Sequence, residues 1–230
     1  LITGGITPYN INWNGNNPNA LSAGNYNYLI TDNNGCTNQG QTTVYEPAEL
    51  NVIASSSNVS CYGFNDGSIN FTISGGITDY LVNMPPYSQI LSNGTTTYSQ
   101  PSLNAGNYNY SIIDSNGCTV SDFIIIDEPT QLITNPITTN VLCTGDANGT
   151  ILLNTSGGTF PYTETFGGNN PLMLDSGFYS YSVTDNNGCI LSDTFSISQP
   201  DSLLASVTTT NTSCNGYSDG TATLLITGGI

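Results

Sequence analysis

Apolar and polar positions alternate with a period of two in several short stretches of the chain. In 107–113, Tyr108, Tyr110 and Ile112 alternate with Asn109 and Ser111, and the same pattern gives Tyr26, Tyr28, Ile30 and Tyr179, Tyr181, Val183. Successive side chains of a strand point to opposite faces, so one aromatic face predicts a half-buried strand packed on a second sheet. Strands are predicted at Leu50–Ala54, Ser68–Ser74, Tyr80–Met84, Tyr108–Asp114 and Phe123–Asp127, all rich in β-branched and aromatic residues. Between the last two, Asp114-Ser115-Asn116-Gly117-Cys118 reads as a hairpin loop with glycine where a positive φ is needed.

The pattern repeats. Gly4-Gly5, Gly75-Gly76, Gly157-Gly158 and Gly228-Gly229 recur at intervals of 71, 82 and 71 residues. Cys36, Cys118 and Cys189 keep the intervals 82 and 71, and so do Cys61, Cys143 and Cys214. The segments AGNYNYLITDNNGC (23–36), AGNYNYSIIDSNGC (105–118) and SGFYSYSVTDNNGC (176–189) align residue by residue. A period this long predicts whole small domains rather than solenoid turns. The longer spacing of the middle unit is placed near Ser88–Pro101, where a loop can absorb extra residues. LITGGI at 1–6 returns at 225–230, which reads either as a three-domain superperiod or as coincidence among similar repeats.

Asp175-Ser176-Gly177-Phe178-Tyr179-Ser180-Tyr181 resembles the tyrosine corner of immunoglobulin-like sandwiches. The resemblance implies that Tyr26, Tyr108 and Tyr179 tie a corner, while Tyr28, Tyr110 and Tyr181 point inward. Trp13, Met84 and Phe166 share one aligned slot, which would be the core position of the third strand. Glu46-Pro47, Glu128-Pro129 and Gln199-Pro200 mark the joints, since proline cannot sit in a central strand and holds its predecessor extended. The expected organisation is the end of one repeat (1–47), two complete repeats (48–129 and 130–200) and the start of another (201–230). The expected fold is all-β: tandem immunoglobulin-like β-sandwich domains in an extended rod. Leu1 opens inside a strand-like stretch, so the chain reads as a window cut from something longer.

Composition narrows the chemistry. The 230 residues carry 16 Asp plus Glu and no Lys, Arg or His, a formal charge of −16. Without cationic side chains there is no histidine base, Schiff-base lysine or arginine clamp. The charge repels nucleic acid phosphates and anionic lipid headgroups, and no apolar run reaches transmembrane length. No nucleic acid partner and no membrane insertion are therefore expected. Paired carboxylates could hydrolyse glycosides, but no acidic pair stands outside the repeat pattern, so no catalytic residue and no enzyme are expected.

Six cysteines in repeated loops read as disulfides of a secreted or surface protein. Three pairings are open. Within a domain, Cys61–Cys118 and Cys143–Cys189 would have to span opposite ends of a sandwich. At the constant spacing of 25, Cys36–Cys61, Cys118–Cys143 and Cys189–Cys214 need the chain to double back at the proline. Between domains, Cys61 would meet Cys189, with Cys36 and Cys118 bonded to partners upstream; this option suits a rod and is favoured. Asp66, Asp146 and Asp219 recur in Gly/Asn-rich loops and Asp32, Asp114 and Asp185 before the hairpin glycines. Their ordinary work is turn formation, accepting backbone N–H groups two residues on; the ion that Asp66, Asp146 and Asp219 could bind is calcium.

The stretch NVSCYGFNDGSINFTISGGITDY around Cys61, its counterparts at Cys143 and Cys214, and TDNNGCT…EP together resemble the SprB-type repeat of very large surface adhesins in gliding Bacteroidota. The resemblance implies an extracellular, cell-surface protein exported by type IX secretion, and a filament segment giving reach and tensile strength for attachment and gliding, with neighbouring repeats of the same long chain and a surface polysaccharide or solid surface as partners. It carries no catalytic residues. The alternatives are a glycan- or protein-binding module using variable loops, Ser88–Pro101 above all, or the subunit of a polymerised pilus-like fibre.

Overall fold

The computed structural model describes residues 1–229, so the last residue of the second LITGGI, Ile230, lies outside the described residues. These residues form seventeen strands and no helix. Residues 1–47 hold β1 (Asn10–Asn12), β2 (Gly24–Thr31) and β3 (Thr37–Val44), hydrogen-bonded in that order. Residues 48–129 hold β4 (Asn51–Ser57), β5 (Gly67–Ser74), β6 (Tyr80–Met84), β7 (Tyr87–Leu91), β8 (Thr97–Leu103), β9 (Gly106–Ile113) and β10 (Thr119–Ile126). They make two sheets, ordered β4-β5-β8 and β10-β9-β6-β7. Residues 130–200 hold β11 (Ile133–Thr139), β12 (Thr150–Ser156), β13 (Thr163–Thr165), β14 (Gly177–Thr184) and β15 (Ile190–Ile197), in sheets β11-β12 and β13-β14-β15. The hairpin of β16 (Leu204–Thr210) and β17 (Thr221–Thr227) follows. All-β architecture in small antiparallel sheets agrees with β-sandwich repeats.

Two compact units emerge: Leu1–Ala54 with Phe71–Tyr98 and Asn109–Asp122, and Ser55–Asn70 with Ser99–Tyr108 and Phe123–Ile230. In the first, burial alternates as the sequence pattern does. Phe71 and Ile73 on β5, Tyr80, Val82 and Met84 on β6, and Tyr110 and Ile112 on β9 are buried, with more exposed residues between them. Phe71 packs edge-on against Tyr110 at 4.7 Å between ring centroids. In the second, Leu132, Val141, Ile151, Leu153, Leu174, Tyr181, Val183 and Ile197 form one core, with Tyr179, Phe166 and Phe195 on its margin.

The stretch Ser88–Pro101, expected to be a loop, is mostly strand. It contributes nearly all of β7 and the larger part of β8, with only 92–96 between them. Ile90, Leu91, Thr97 and Tyr98 favour extended backbone, and buried Leu91 anchors β7 through its pairing with Tyr80. The added length thus becomes an edge strand. Pro101 fits because β8 is the outer strand of its sheet and has no neighbour on one side. In residues 130–200, an isolated bridge between Gly149 and Leu174 stands in the corresponding place.

Candidate functional site

Residues 48–129 and 130–200 each carry two cysteine-bearing elements, and both are tied into the fold by sequence motifs. The first element is the hairpin Asp-x-Asn-Gly-Cys. In 185–189 the Asp185 carboxylate accepts the N–H groups of Asn187 (2.9 Å) and Cys189 (2.9 Å) with one oxygen and that of Thr159 (2.8 Å) with the other. Asp114 does the same for Asn116, Cys118 and Ile77, at 3.0, 2.8 and 2.9 Å. Asp32 does it for Asn34, Cys36 and Ile6, at 2.9, 2.9 and 3.1 Å. Three N–H groups satisfy a carboxylate that is 5 % exposed at both 114 and 185. The turn function expected of these aspartates is present, with a long-range bond added to the local ones.

That long-range bond explains the glycine doublets. Ile6, Ile77 and Thr159 each follow a Gly-Gly pair, and a side chain on the second glycine would run into the aspartate: a Cβ at Gly158 would lie 2.7 Å from Asp185 Oδ2. The second glycine also donates its N–H to the joint, Gly76 to Ala48 O (2.7 Å) and Gly158 to Thr130 O (2.7 Å). The first glycine accepts from a tyrosine hydroxyl: Tyr9 to Gly4, Tyr80 to Gly75 and Tyr162 to Gly157, each 2.7 Å. Doublet, tyrosine, aspartate and post-proline joint therefore form one knot per repeat, with the hairpin cysteine hung directly from it.

The second element is the loop after the first strand. Asp66 accepts from both the N–H (2.9 Å) and the hydroxyl of Ser60, and Asp219 from the same groups of Ser213. In the middle loop the equivalent slot belongs to Asn148, whose Oδ1 accepts the Leu142 N–H at 3.0 Å. Asp146 stands two residues earlier and accepts from the Asn148 amide at 3.3 Å, so the three aspartates grouped in the sequence occupy two different positions. Among the described residues no three acidic or cysteine side chains converge as a metal site would. The residue before the joint proline also holds this loop: Glu128 accepts the Gly63 N–H (2.8 Å) and Gln199 that of Gly145 (3.3 Å).

Loop and hairpin meet in one place. A disulfide joins Cys61 to Cys189, 128 residues apart, with a Cα–Cα distance of 5.7 Å. The Asn187 amide donates to Ser60 O at 2.9 Å beside it. The bond thus links the loop of 48–129 to the hairpin of 130–200. Cys36, Cys118, Cys143 and Cys214 are free and exposed.

The tyrosine hydroxyls at the corners all reach back four residues: Tyr26 to Ser22 O (2.9 Å), Tyr108 to Asn104 O (2.9 Å) and Tyr179 to Asp175 O (3.1 Å). Tyr110, Tyr181 and Met84 are buried. Trp13, Tyr28 and Phe166, placed in the core by the alignment, are only half-buried. Trp13 and Tyr28 cover one another at 5.5 Å beside the three-stranded sheet β1-β2-β3, with no counterpart of β4 or β5 among the described residues 1–47, and Phe166 sits just past the three-residue β13 on the margin of its core.

Replacing Asp185 by asparagine keeps one acceptor and puts an NH2 group where the other oxygen faces an N–H. Asp185→Asn is expected to cost about 1–3 kcal/mol, the penalty of a buried donor without an acceptor. Urea unfolding reads it out, and the Cys61–Cys189 bond is expected to be reduced faster in the variant. Backbone bonds also hold the carboxyls of Asp114 (chiefly Ile77 N–H) and Asp32 (chiefly Ile6 N–H) below their ordinary value of 3.8. The Ser60 and Ser213 hydroxyls do so for Asp66 and Asp219. A folded-state pKa below the unfolded one means that the unfolded chain binds more protons. This contribution to stability is complete above the ordinary value of 3.8 and is lost as pH falls through the lower folded values. Relief of the −16 charge acts oppositely, but at physiological salt it is screened beyond about 8 Å. The urea midpoint is expected to be flat from neutral pH towards 5 and to drop in the acid limb.

A family model described as SprB repeat matches residues 53–96 and 135–163. The two SprB-repeat matches begin at the same offset from Gly75-Gly76 and Gly157-Gly158. Each spans a cysteine loop, a glycine doublet and the tyrosine bonded to it, while Asp114 and Asp185 of the knots lie outside the matched residues. No curated protein matches the chain.

Proposed function

We propose that the chain is a structural repeat segment of a cell-surface adhesin filament, exported to the cell exterior, whose work is reach and tensile strength. The observation that carries the reading is the Cys61–Cys189 bond, which ties consecutive repeats together covalently. A chain without cationic side chains cannot hold such a junction by side-chain ion pairs, and repeats of 71 to 82 residues are small enough to need a staple. The SprB-repeat matches agree with a repeat segment of this kind. The disulfide supports an extracellular location, since such bonds survive outside the reducing cytosol. Type IX export and gliding come from the family resemblance.

Two measurements on the isolated chain test the reading. Small-angle scattering is expected to give an elongated particle, and a glycan array is expected to retain no specific sugar. Saturable binding of one glycan class, lost on substitution within the 92–96 turn, would instead make this segment a binding module.

A further inference from the structure

The junction at Cys189 is a plug in a socket. The groove beside the disulfide is lined on one side by the joint Pro129–Leu132, Gly158 and the hairpin residues Cys189–Leu191, and on the other by Cys61, Tyr62 and Phe64 of the loop. The chain holds the socket side again without the loop. Around Cys118 a groove is lined by Glu46–Leu50, Gly76 and Cys118–Val120, and 47–50, 76 and 118–120 are position for position the counterparts of 129–132, 158 and 189–191. Its volume is about 330 Å³, against about 230 Å³ beside the occupied Cys189. A related groove of about 370 Å³ surrounds Cys36 with Gly5, Thr37 and Asn38.

The hairpins at the open sockets have the bonded geometry. Asp114 and Asp32 hold the N–H of Cys118 (2.8 Å) and Cys36 (2.9 Å) as Asp185 holds that of Cys189 (2.9 Å). Asn116 and Asn34 occupy the place of Asn187, the residue whose amide grips the loop backbone at Ser60 O. The plug recurs too. Cys143 and Cys214 sit in loops held as the Cys61 loop is held, by Asn148 and Asp219.

We propose that Cys118 and Cys36 are empty sockets and Cys143 and Cys214 unused plugs of the same joint, so that each socket closes a disulfide with a Cys-x-Gly loop of another repeat and each plug closes one with an Asp-x-Asn-Gly-Cys hairpin. This rests on reading the chain as one segment of a tandem array. Loop joins only hairpin, because the loop offers a backbone carbonyl and only the hairpin offers the asparagine amide to meet it. The chemistry is thiol–disulfide exchange. The Cys118 thiolate attacks the loop cysteine of a loop–glutathione mixed disulfide, the new S–S bond forms, and glutathione leaves as thiolate. Starting from two free thiols, a disulfide oxidant takes up the two electrons and two protons.

The test uses the whole chain with its Cys61–Cys189 bond intact and two peptides as glutathione mixed disulfides, one of the loop sequence 57–67 and one of the hairpin sequence 183–191. Adducts are mapped after acid quenching. The loop peptide is expected at Cys118 and Cys36 over Cys143 and Cys214 by roughly tenfold or more, and the hairpin peptide with the opposite preference. Asn116→Ala is expected to lower the Cys118 adduct while leaving Cys36 unchanged; if that variant folds poorly, the two peptides on the unaltered chain still decide. Adducts that follow exposure alone, equal for both peptides or no greater than with a scrambled peptide, overturn the proposal. The function reading is judged separately by scattering and glycan binding, so either can fail without the other.

Discussion

Alanine at Gly157 is expected to be among the most damaging single substitutions in the chain. Its backbone has φ +73°, a left-handed conformation that costs a residue with a Cβ about 1–2 kcal/mol. The larger effect is steric. A Cβ there would lie 2.7 Å from the Gln131 carbonyl carbon and closer still to its oxygen, so the joint has to move off the repeat. Moving it breaks the Gly158-to-Thr130 hydrogen bond and disturbs the Asp185 knot that carries Cys189. Together these put the cost at about 3 kcal/mol or more. Gly75 is expected to behave alike, because its Cβ would strike Glu49 in the same way. Gly188 is the control: φ is +85°, but a Cβ meets nothing within 4 Å, so Gly188→Ala is expected to cost only the conformational part. Thermal unfolding of the two variants side by side separates strain from collision. Equal losses would mean that the doublet does not clamp the joint.

Removing the disulfide is expected to have the other large effect. A bond closing a loop of 128 residues restricts the unfolded chain by about 5 kcal/mol on chain-entropy grounds, an upper figure because linked repeats do not unfold as one unit. Cys189→Ser leaves the hairpin's backbone bonds to Asp185 in place, so the loss is expected to fall on the junction between 48–129 and 130–200, with each repeat retaining its β signal. In urea, the unaltered oxidised chain is expected to unfold later than either the variant or the reduced chain, and those two are expected to coincide. A variant as stable as the oxidised chain would show the bond to be incidental.

Much of this was legible before the structure. Tyrosine alternation located β2, β9 and β14 because aromatic residues at period two leave little doubt about which face is covered. The hairpin loops were legible from Asp and Gly at fixed positions. Three things were not. β7 and β8 lie in a stretch of Ser, Gln, Thr and Pro whose alternation is weak, and its extra length relative to the other repeats suggested a loop. Asp146 shares a Gly/Asn-rich loop composition with Asp66 and Asp219, while counting from the cysteine puts Asn148 in their slot. The bond from Asp185 to the residue after Gly158 is long-range, and propensity is blind to it. The spacing hides it further, because the first glycine of the doublet and the hairpin cysteine stand 32, 43 and 32 residues apart in the three knots. Glu128 and Gln199, which hold the cysteine loops, stand in the sequence only as residues before a boundary proline.

Pulling single molecules by their ends tests most directly whether load passes through the junction bond. With Cys61 and Cys189 joined, residues between them are shielded from the force, and reduction is expected to release 128 residues, an added contour length of about 420–460 Å. An identical contour length with and without reductant would contradict the account, for the tension would then run through the whole chain and the bond would carry none of it.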